Sequence, residues 1–133
     1  RSWWPHRHDS NVLFLCYEDM KPDLPRTVQR IAAFIGCALD DELLDIVVRQ
    51  SSLEFMSAHK RHFDDHLIRE KRDAACGLPP GGDSSKVRTG NVGDHARELS
   101  AEVIAELDGR WREEIEGPLG FSSYTAMRSA LNL

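Results

Sequence analysis

Val12-Leu13-Phe14-Leu15-Cys16 is an uninterrupted apolar run between Asp9-Ser10 and Glu18-Asp19. It is too short for a buried helix and rich in residues that favour extended backbone. The pattern predicts a strand over about residues 11 to 17, apolar on both faces. Such strands belong to the parallel sheet of an α/β layer fold. At the carboxyl end the polarity switches to Tyr17, Glu18 and Asp19. Ligands of open α/β sheets sit outside the carboxyl ends of the strands, which makes Tyr17 the first candidate site residue. A parallel strand also needs neighbours to pair its N–H and C=O groups. The rest of the sequence patterns as helix and loop, so the run predicts a piece of a larger fold, mostly helical with one central buried strand.

Composition narrows the partners. The 133 residues carry a net charge of −5, which argues against a general nucleic-acid binder but leaves room for a local basic pocket. Cys16, Cys37 and Cys76 form no CxxC pair, and free thiols fit a reducing, cytoplasmic compartment. No apolar stretch approaches the about 20 residues needed to span a bilayer, so no membrane partner is expected. The opening Arg1-Ser2-Trp3-Trp4-Pro5-His6 lacks the apolar core of a signal peptide.

Along the chain, Arg1 to His8 suggests the tail of a helix and an exit loop. Asp23 is placed to cap a helix with Pro25 in its first turn. Val28, Ile31, Ala32, Phe34 and Ile35 then recur at helical spacing, with Gly36 as the stop. Asp40 or Asp41 starts a second helix that Ser51-Ser52 breaks. Ser52 opens a third, expected to reach about His62. Phe63 to Arg72 patterns as a charged helix with Leu67 and Ile68 inward. Cys76 to Ser85 is rich in Gly, Pro and Ser. A last helix is predicted from about Asp94 to Ile115, with Leu99, Val103, Ile104, Leu107 and Trp111 on one face and Gly117-Pro118 as its end. Phe121 to Leu133 is a tail expected to pack back on the body.

Four stretches could carry chemistry. In Lys86-Val87-Arg88-Thr89-Gly90-Asn91-Val92-Gly93-Asp94, Arg88 offers a planar fork for a phosphate or sulfate. Gly90 and Gly93 let backbone N–H groups approach an anion, Lys86 and Thr89 add a charge and a hydroxyl, and a helix starting at Asp94 would turn its positive end the same way. The same residues also suit a surface loop with a solvated arginine. Tyr17 could meet a base or sugar, or simply lie at a core boundary. Ser51 to Met56 could grip an adenine-like ring, or be an N-cap with a core face. His59, His62 and His66 share a helical face, but Lys60, Arg61, Arg69, Lys71 and Arg72 around them favour a solvated charged face over a metal site. No activated nucleophile is present.

In order and spacing these stretches resemble the C-terminal half of the cytosolic-type sulfotransferases, which transfer sulfuryl from PAPS (phosphoadenosine phosphosulfate) to a hydroxyl or amine. The resemblance rests on Leu15-Cys16-Tyr17-Glu18-Asp19-Met20, Ile31-Ala32-Ala33-Phe34-Ile35-Gly36, Ser51-Ser52-Leu53 with Met56, and Arg88-Thr89-Gly90 with Gly93-Asp94. It implies a P-loop-like parallel-sheet fold, of which residues 1–133 form the C-terminal portion of a single domain. It implies that Tyr17 contacts the adenine edge, that Ser51 and Leu53 stand where the family usually has Thr and a stacking Phe, and that Met56 lines the same pocket. Arg88, Thr89 and Gly90 occupy the 3'-phosphate loop. The implied partner is a small-molecule acceptor, shaped in part by residues 59–85.

The sequence departs from the family at several points. Thr89 replaces a usual Lys, so a charge is lost unless Lys86 supplies it. His95 replaces a Trp. The family's dimer motif falls on Ala96, Ser100-Ala101 and Ala105 and is not matched. The phosphosulfate loop with its catalytic Lys, and the general-base His, have no counterpart here. The competing expectation is a non-catalytic nucleotide-binding or interaction fragment of the same fold.

Overall fold

The helices begin where short polar side chains can accept the first free N–H groups. In the computed structural model, which describes residues 2–80, 85–87 and 89–131, Asp23 Oδ1 accepts from Arg26 N–H at 3.1 Å and Asp40 Oδ1 from Leu43 N–H at 2.8 Å. Ser52, Ser100 and Ser123 do the same through Oγ. Each such cap is worth about 1 kcal/mol. The resulting elements are α1 (Tyr17–Met20), α2 (Leu24–Ile35), α3 (Asp41–Gln50), α4 (Leu53–Ala58), α5 (His66–Ala75), α6 (His95–Glu98), α7 (Ala101–Trp111), α8 (Gly117–Leu119) and α9 (Tyr124–Ser129). Gly36 ends α2 in the left-handed region at φ 70°, where a side chain would be strained.

The chain divides into two compact units, residues 1–39 with 92–133, and residues 40–91. In the first, Trp4 stands edge-on to Phe121 at 4.9 Å and to Phe14 at 6.3 Å between ring centroids. Trp111 Nε1 donates to Phe121 O at 2.8 Å. Cys16, Thr27, Val28 and Ala32 are buried, the last three on α2, which packs against α1. The tail thus does return to the body, as the sequence predicts. In the second unit α3 and α4 meet at Ser51-Ser52, a 3-10 turn spans Lys60–Phe63, and α5 follows. Its buried carboxylate, Asp73, takes Arg69 Nε at 3.1 Å and Arg72 Nη2 at 3.0 Å. Burial pushes the Asp73 carboxyl up, but the hydrogen bonds from Arg72 and Arg69 outweigh it and hold it below the ordinary range.

The central strand is a correction. Residues 12–16 run without helix or ladder, and no strand forms among the described residues; the one bridge there is the isolated pair Asp64–Ser85. Cys16 is extended, at φ −107° and ψ 132°, yet Leu13, Phe14 and Leu15 have no partner strand. The physical reason is supply: the other described segments spend their backbone groups in helices and turns. The polarity switch at Tyr17 marks a helix start, with Glu18 and Asp19 in its first turn, where acidic side chains favour the helix dipole.

Four helix limits also differ. Residues Trp4–His6 form a 3-10 turn rather than a helix tail. α4 stops at Ala58, and Leu67 and Ile68 on α5 are exposed, at 67% and 63%. The predicted helix from Asp94 breaks at Leu99, whose backbone is extended, because Ser100 caps a new one. Beyond Trp111 the helix widens into a π turn, Arg112–Glu116, and reaches Leu119 before Gly120 ends it. The wider turn admits Pro118, which lacks the N–H an α-helical turn requires.

Candidate functional site

The junction of α3 and α4 assembles the best-formed part of the site. Ser51 closes α3, its N–H bonded to Val47 O at 2.9 Å. Ser52 has a different duty: its Oγ donates to Arg49 O at 2.7 Å and accepts from Phe55 N–H at 3.1 Å. Capping therefore occupies the second hydroxyl and leaves the first without a hydrogen bond among the described residues. Leu53, 38% exposed, opens α4, and Met56 lies one turn on, half-buried.

Ser51 lines a cleft of about 460 Å³ together with Val47, Gln50, Phe55, His62 and Phe63. That volume falls in the range of about 300–1,000 Å³ usual for small-molecule sites. Val47, Phe55 and Phe63 give apolar and aromatic walls; Gln50, Ser51 and His62 give polar ones. A planar ring with hydrogen-bonding edges suits this mixture. Sequence reasoning had Phe55 only as part of the Ser51–Met56 stretch and missed Phe63. The available signal was the spacing of Phe55, His59 and His62, which forms an aromatic ladder: Phe55 and His59 stack at 4.0 Å and 22°, and His62 follows His59 at 5.7 Å.

Two of the three histidines bond to neighbouring groups. His59 Nδ1 lies 2.8 Å from Phe55 O, and His66 pairs through Nδ1 with Asp64. That hydrogen bond is the main cause holding the Asp64 carboxyl below its ordinary range. No metal-binding cluster occurs among the described residues.

The glycine loop is anchored at its start. Val87 is buried, and Ser85 Oγ accepts from Val87 N–H at 3.2 Å and donates to Val87 O at 3.0 Å. Gly90 has φ 61°, a conformation that costs other residues strain. Thr89 is exposed and Gly90 half-buried. Arg88, the predicted anion fork, lies outside the described residues. Lys86, the residue that could replace the missing loop lysine, pairs its Nζ with Asp65 Oδ2 at 2.6 Å. The helix expected at Asp94 is one turn long, too short for a substantial dipole, and the Asp94 carboxylate is engaged by Arg97.

Tyr17 belongs to the other unit. It begins α1, and its side chain is 49% exposed. Behind it Glu18 Oε2 accepts from Tyr124 O–H at 2.6 Å, and Asp19 Oδ1 pairs with Arg128 Nε at 3.2 Å. The Tyr124 bond is the first cause holding the Glu18 carboxyl low. Tyr124 is itself raised, by burial first and then by Glu18 and Cys16.

Residues 1–117 match the family model described as "Sulfotransferase domain". The chain is 31% identical over 127 residues to an amine sulfotransferase of Oryctolagus cuniculus, covering 91% of this chain and 39% of the relative. It is 32% identical over 117 residues to a sulfotransferase 1B1 of Canis lupus familiaris, covering 88% and 37%. A sulfotransferase 1E1 of Bos taurus is 26% identical over 121 residues, again covering 88% and 37%. The chain therefore spans about two fifths of the length of these curated relatives. No described helix is long and apolar enough to cross a membrane. Since the matched span takes in Tyr17, the Ser51–Met56 junction and the Lys86–Asp94 loop, the chain belongs to the sulfotransferase domain family.

Proposed function

We propose that this chain supplies the nucleotide-binding portion of a PAPS-dependent sulfotransferase that acts on a hydroxyl or amine of a small-molecule acceptor in the cytoplasm. The observation that carries it is the α3–α4 cleft, lined by Phe55 and by Ser51, whose hydroxyl has no hydrogen bond among the described residues. It lies within the span matched to a sulfotransferase domain. In this reading Tyr17, Ser51, Leu53 and Met56 hold the adenine, and Arg88, Thr89 and Gly90 hold the 3'-phosphate. The residues fit such a group: aromatic and apolar walls for a base, and a left-handed Gly90 in the loop for an anion.

PAPS, when bound, carries the sulfuryl group to be transferred. This chain's own residues position it, which lowers the entropic part of the barrier. The basic groups that act on the transferring sulfuryl belong to the remainder of the domain, together with the parallel-sheet strands against which Val12–Cys16 would pair. Residues 1–133 are in this view the C-terminal portion of one P-loop-like domain in which the family's dimer motif is not matched.

The pairing of Lys86 with Asp65 favours a second reading, a nucleotide-binding fragment without transferase activity. Calorimetric titration of PAP, the desulfated cofactor, tests the shared part. Micromolar binding is expected in a protein containing this chain and its upstream half. Arg88→Ala should weaken it at least about tenfold, the loss of a charge-assisted hydrogen bond of about 1.5–3 kcal/mol. Absence of binding to that longer protein overturns the proposal. Binding without sulfuryl transfer to any hydroxyl or amine selects the second reading.

A further inference from the structure

The segment that follows the family match is tied to the residues beside Tyr17 by two side-chain contacts and to Trp4 and Trp111 by two more. Phe121 packs its ring against Trp4 and offers its carbonyl to Trp111 Nε1. Tyr124 O–H donates to Glu18 Oε2 at 2.6 Å. Arg128 Nε pairs with Asp19 Oδ1 at 3.2 Å. Glu18 and Asp19 are the two residues after Tyr17, in the single turn of α1. Within that turn Asp19 and Met20 N–H bond back to Cys16 O, and Lys21 N–H to Tyr17 O, while α2 packs alongside. One isolated turn is unstable by itself, because fixing its dihedrals costs more than its few hydrogen bonds return.

The carboxylates of α1 need these partners. Asp19 Oδ2 is buried with no hydrogen-bond partner among the described residues, so Arg128 is the compensation its carboxylate has. Removing that cation would leave a part-buried charge unpaired, a costly state. Glu18 likewise depends first on Tyr124 for its stabilised charge. Two contacts four residues apart on α9 thus meet two adjacent residues of α1.

We infer that residues Phe121–Arg128 form a strap that fixes the α1 turn, with Tyr124 and Arg128 as positioning residues that set Tyr17 for the nucleotide base. The positioning role rests on the nucleotide-binding function proposed above; the strap itself does not. Neither residue touches the base in this arrangement. Their effect reaches it through Glu18 and Asp19, whose backbone carries Tyr17.

The test uses the longer protein and two measurements. Tyr124→Phe removes one hydroxyl while keeping the ring, and Arg128→Gln removes the charge while keeping most of the stem. Hydrogen exchange of the Asp19, Met20 and Lys21 amides, in nucleotide-free protein, reads the turn. Titration of PAP reads the base site. In the double variant exchange at these amides should quicken about tenfold or more, and PAP affinity should fall about tenfold, equivalent to about 1.4 kcal/mol. A role confined to general stability would instead lower the melting temperature and leave affinity per folded molecule unchanged. Unchanged exchange at 19–21 overturns the strap. Quickened exchange with unchanged affinity overturns the positioning of Tyr17. Failure of the unaltered longer protein to bind PAP overturns the functional proposal and the positioning role with it, while the exchange data still decide the strap.

Discussion

Ser51 and Ser52 are adjacent and chemically identical, yet the structure gives them opposite duties, and paired substitutions separate them. Ser52→Ala removes an N-cap acceptor, worth about 1 kcal/mol, from the Phe55 N–H. It also removes a donor to Arg49 O, for which about 0.5 kcal/mol is reasonable because water can replace it at that exposed carbonyl. The sum of about 1.5 kcal/mol corresponds to a melting-temperature loss of about 5 °C for a domain of this size. Ser51→Ala removes a hydroxyl with no hydrogen bond among the described residues, so its stability should stay within about 0.5 kcal/mol of the parent. Its PAP affinity should nevertheless fall about threefold to tenfold if that hydroxyl meets the base. Ser52→Gly is the internal control, since glycine replaces serine at an N-cap for a few tenths of a kcal/mol. Thermal unfolding by circular dichroism and PAP titration on the same preparations provide both axes. Equal stability losses in the Ser51 and Ser52 variants would refute the division of labour. So would a Ser52→Ala protein as stable as the parent.

Two further substitutions test the electrostatics. Thr89→Lys restores a charge that Lys86, held by Asp65, does not provide; PAP binding should tighten about fivefold and become more salt-dependent, and an unchanged affinity would remove Thr89 from the phosphate loop. Asp73→Asn probes the Arg69 and Arg72 pairs. The Asp73 carboxyl lies below its usual value of 3.8 in the folded protein, so its ion pairs contribute fully above that pH and fade as pH falls through the lowered folded value. The variant should be less stable than the parent at pH 7, and the gap should close below about pH 4 in urea unfolding. A gap independent of pH would show that Asp73 acts by shape and packing rather than by charge.

Local chemistry explains which features were legible in the sequence. Asp23, Asp40 and Ser52 announced their helices because a cap is a contact between near neighbours. Gly36 announced its stop because only the left-handed turn is needed there. The Ser51–Met56 junction and the Gly90 loop were readable for the same reason. Val12–Cys16 was misread because a strand is a relation between two segments, and no second segment pairs with it among the described residues. Leu67 and Ile68 were placed inward on a helical pattern, whereas the buried residue of α5 is Asp73, held by Arg69 and Arg72. Lys86 was offered to the anion because its partner Asp65 lies 21 residues earlier, beyond any local pattern. The Tyr124–Glu18 contact, across 106 residues, had no sequence signal at all.

The open backbone of residues 12–16 has a consequence for the life of this chain in solution. Five apolar residues without Pro or Gly, in no ladder among the described residues, match the composition from which cross-β stacks are built. Copies that met through this segment could satisfy each other's N–H and C=O groups as readily as a native neighbour would. The flanks oppose that outcome. Asp9 stands before the run, Glu18 and Asp19 after it, and in-register stacking would bring like carboxylates within about 4.8 Å of one another. Arg128 and Tyr124 thereby acquire a second meaning: Arg128 offsets part of the Asp19 charge, while the Tyr124 hydrogen bond keeps Glu18 ionised and so preserves the repulsion that keeps the segment from its own copies.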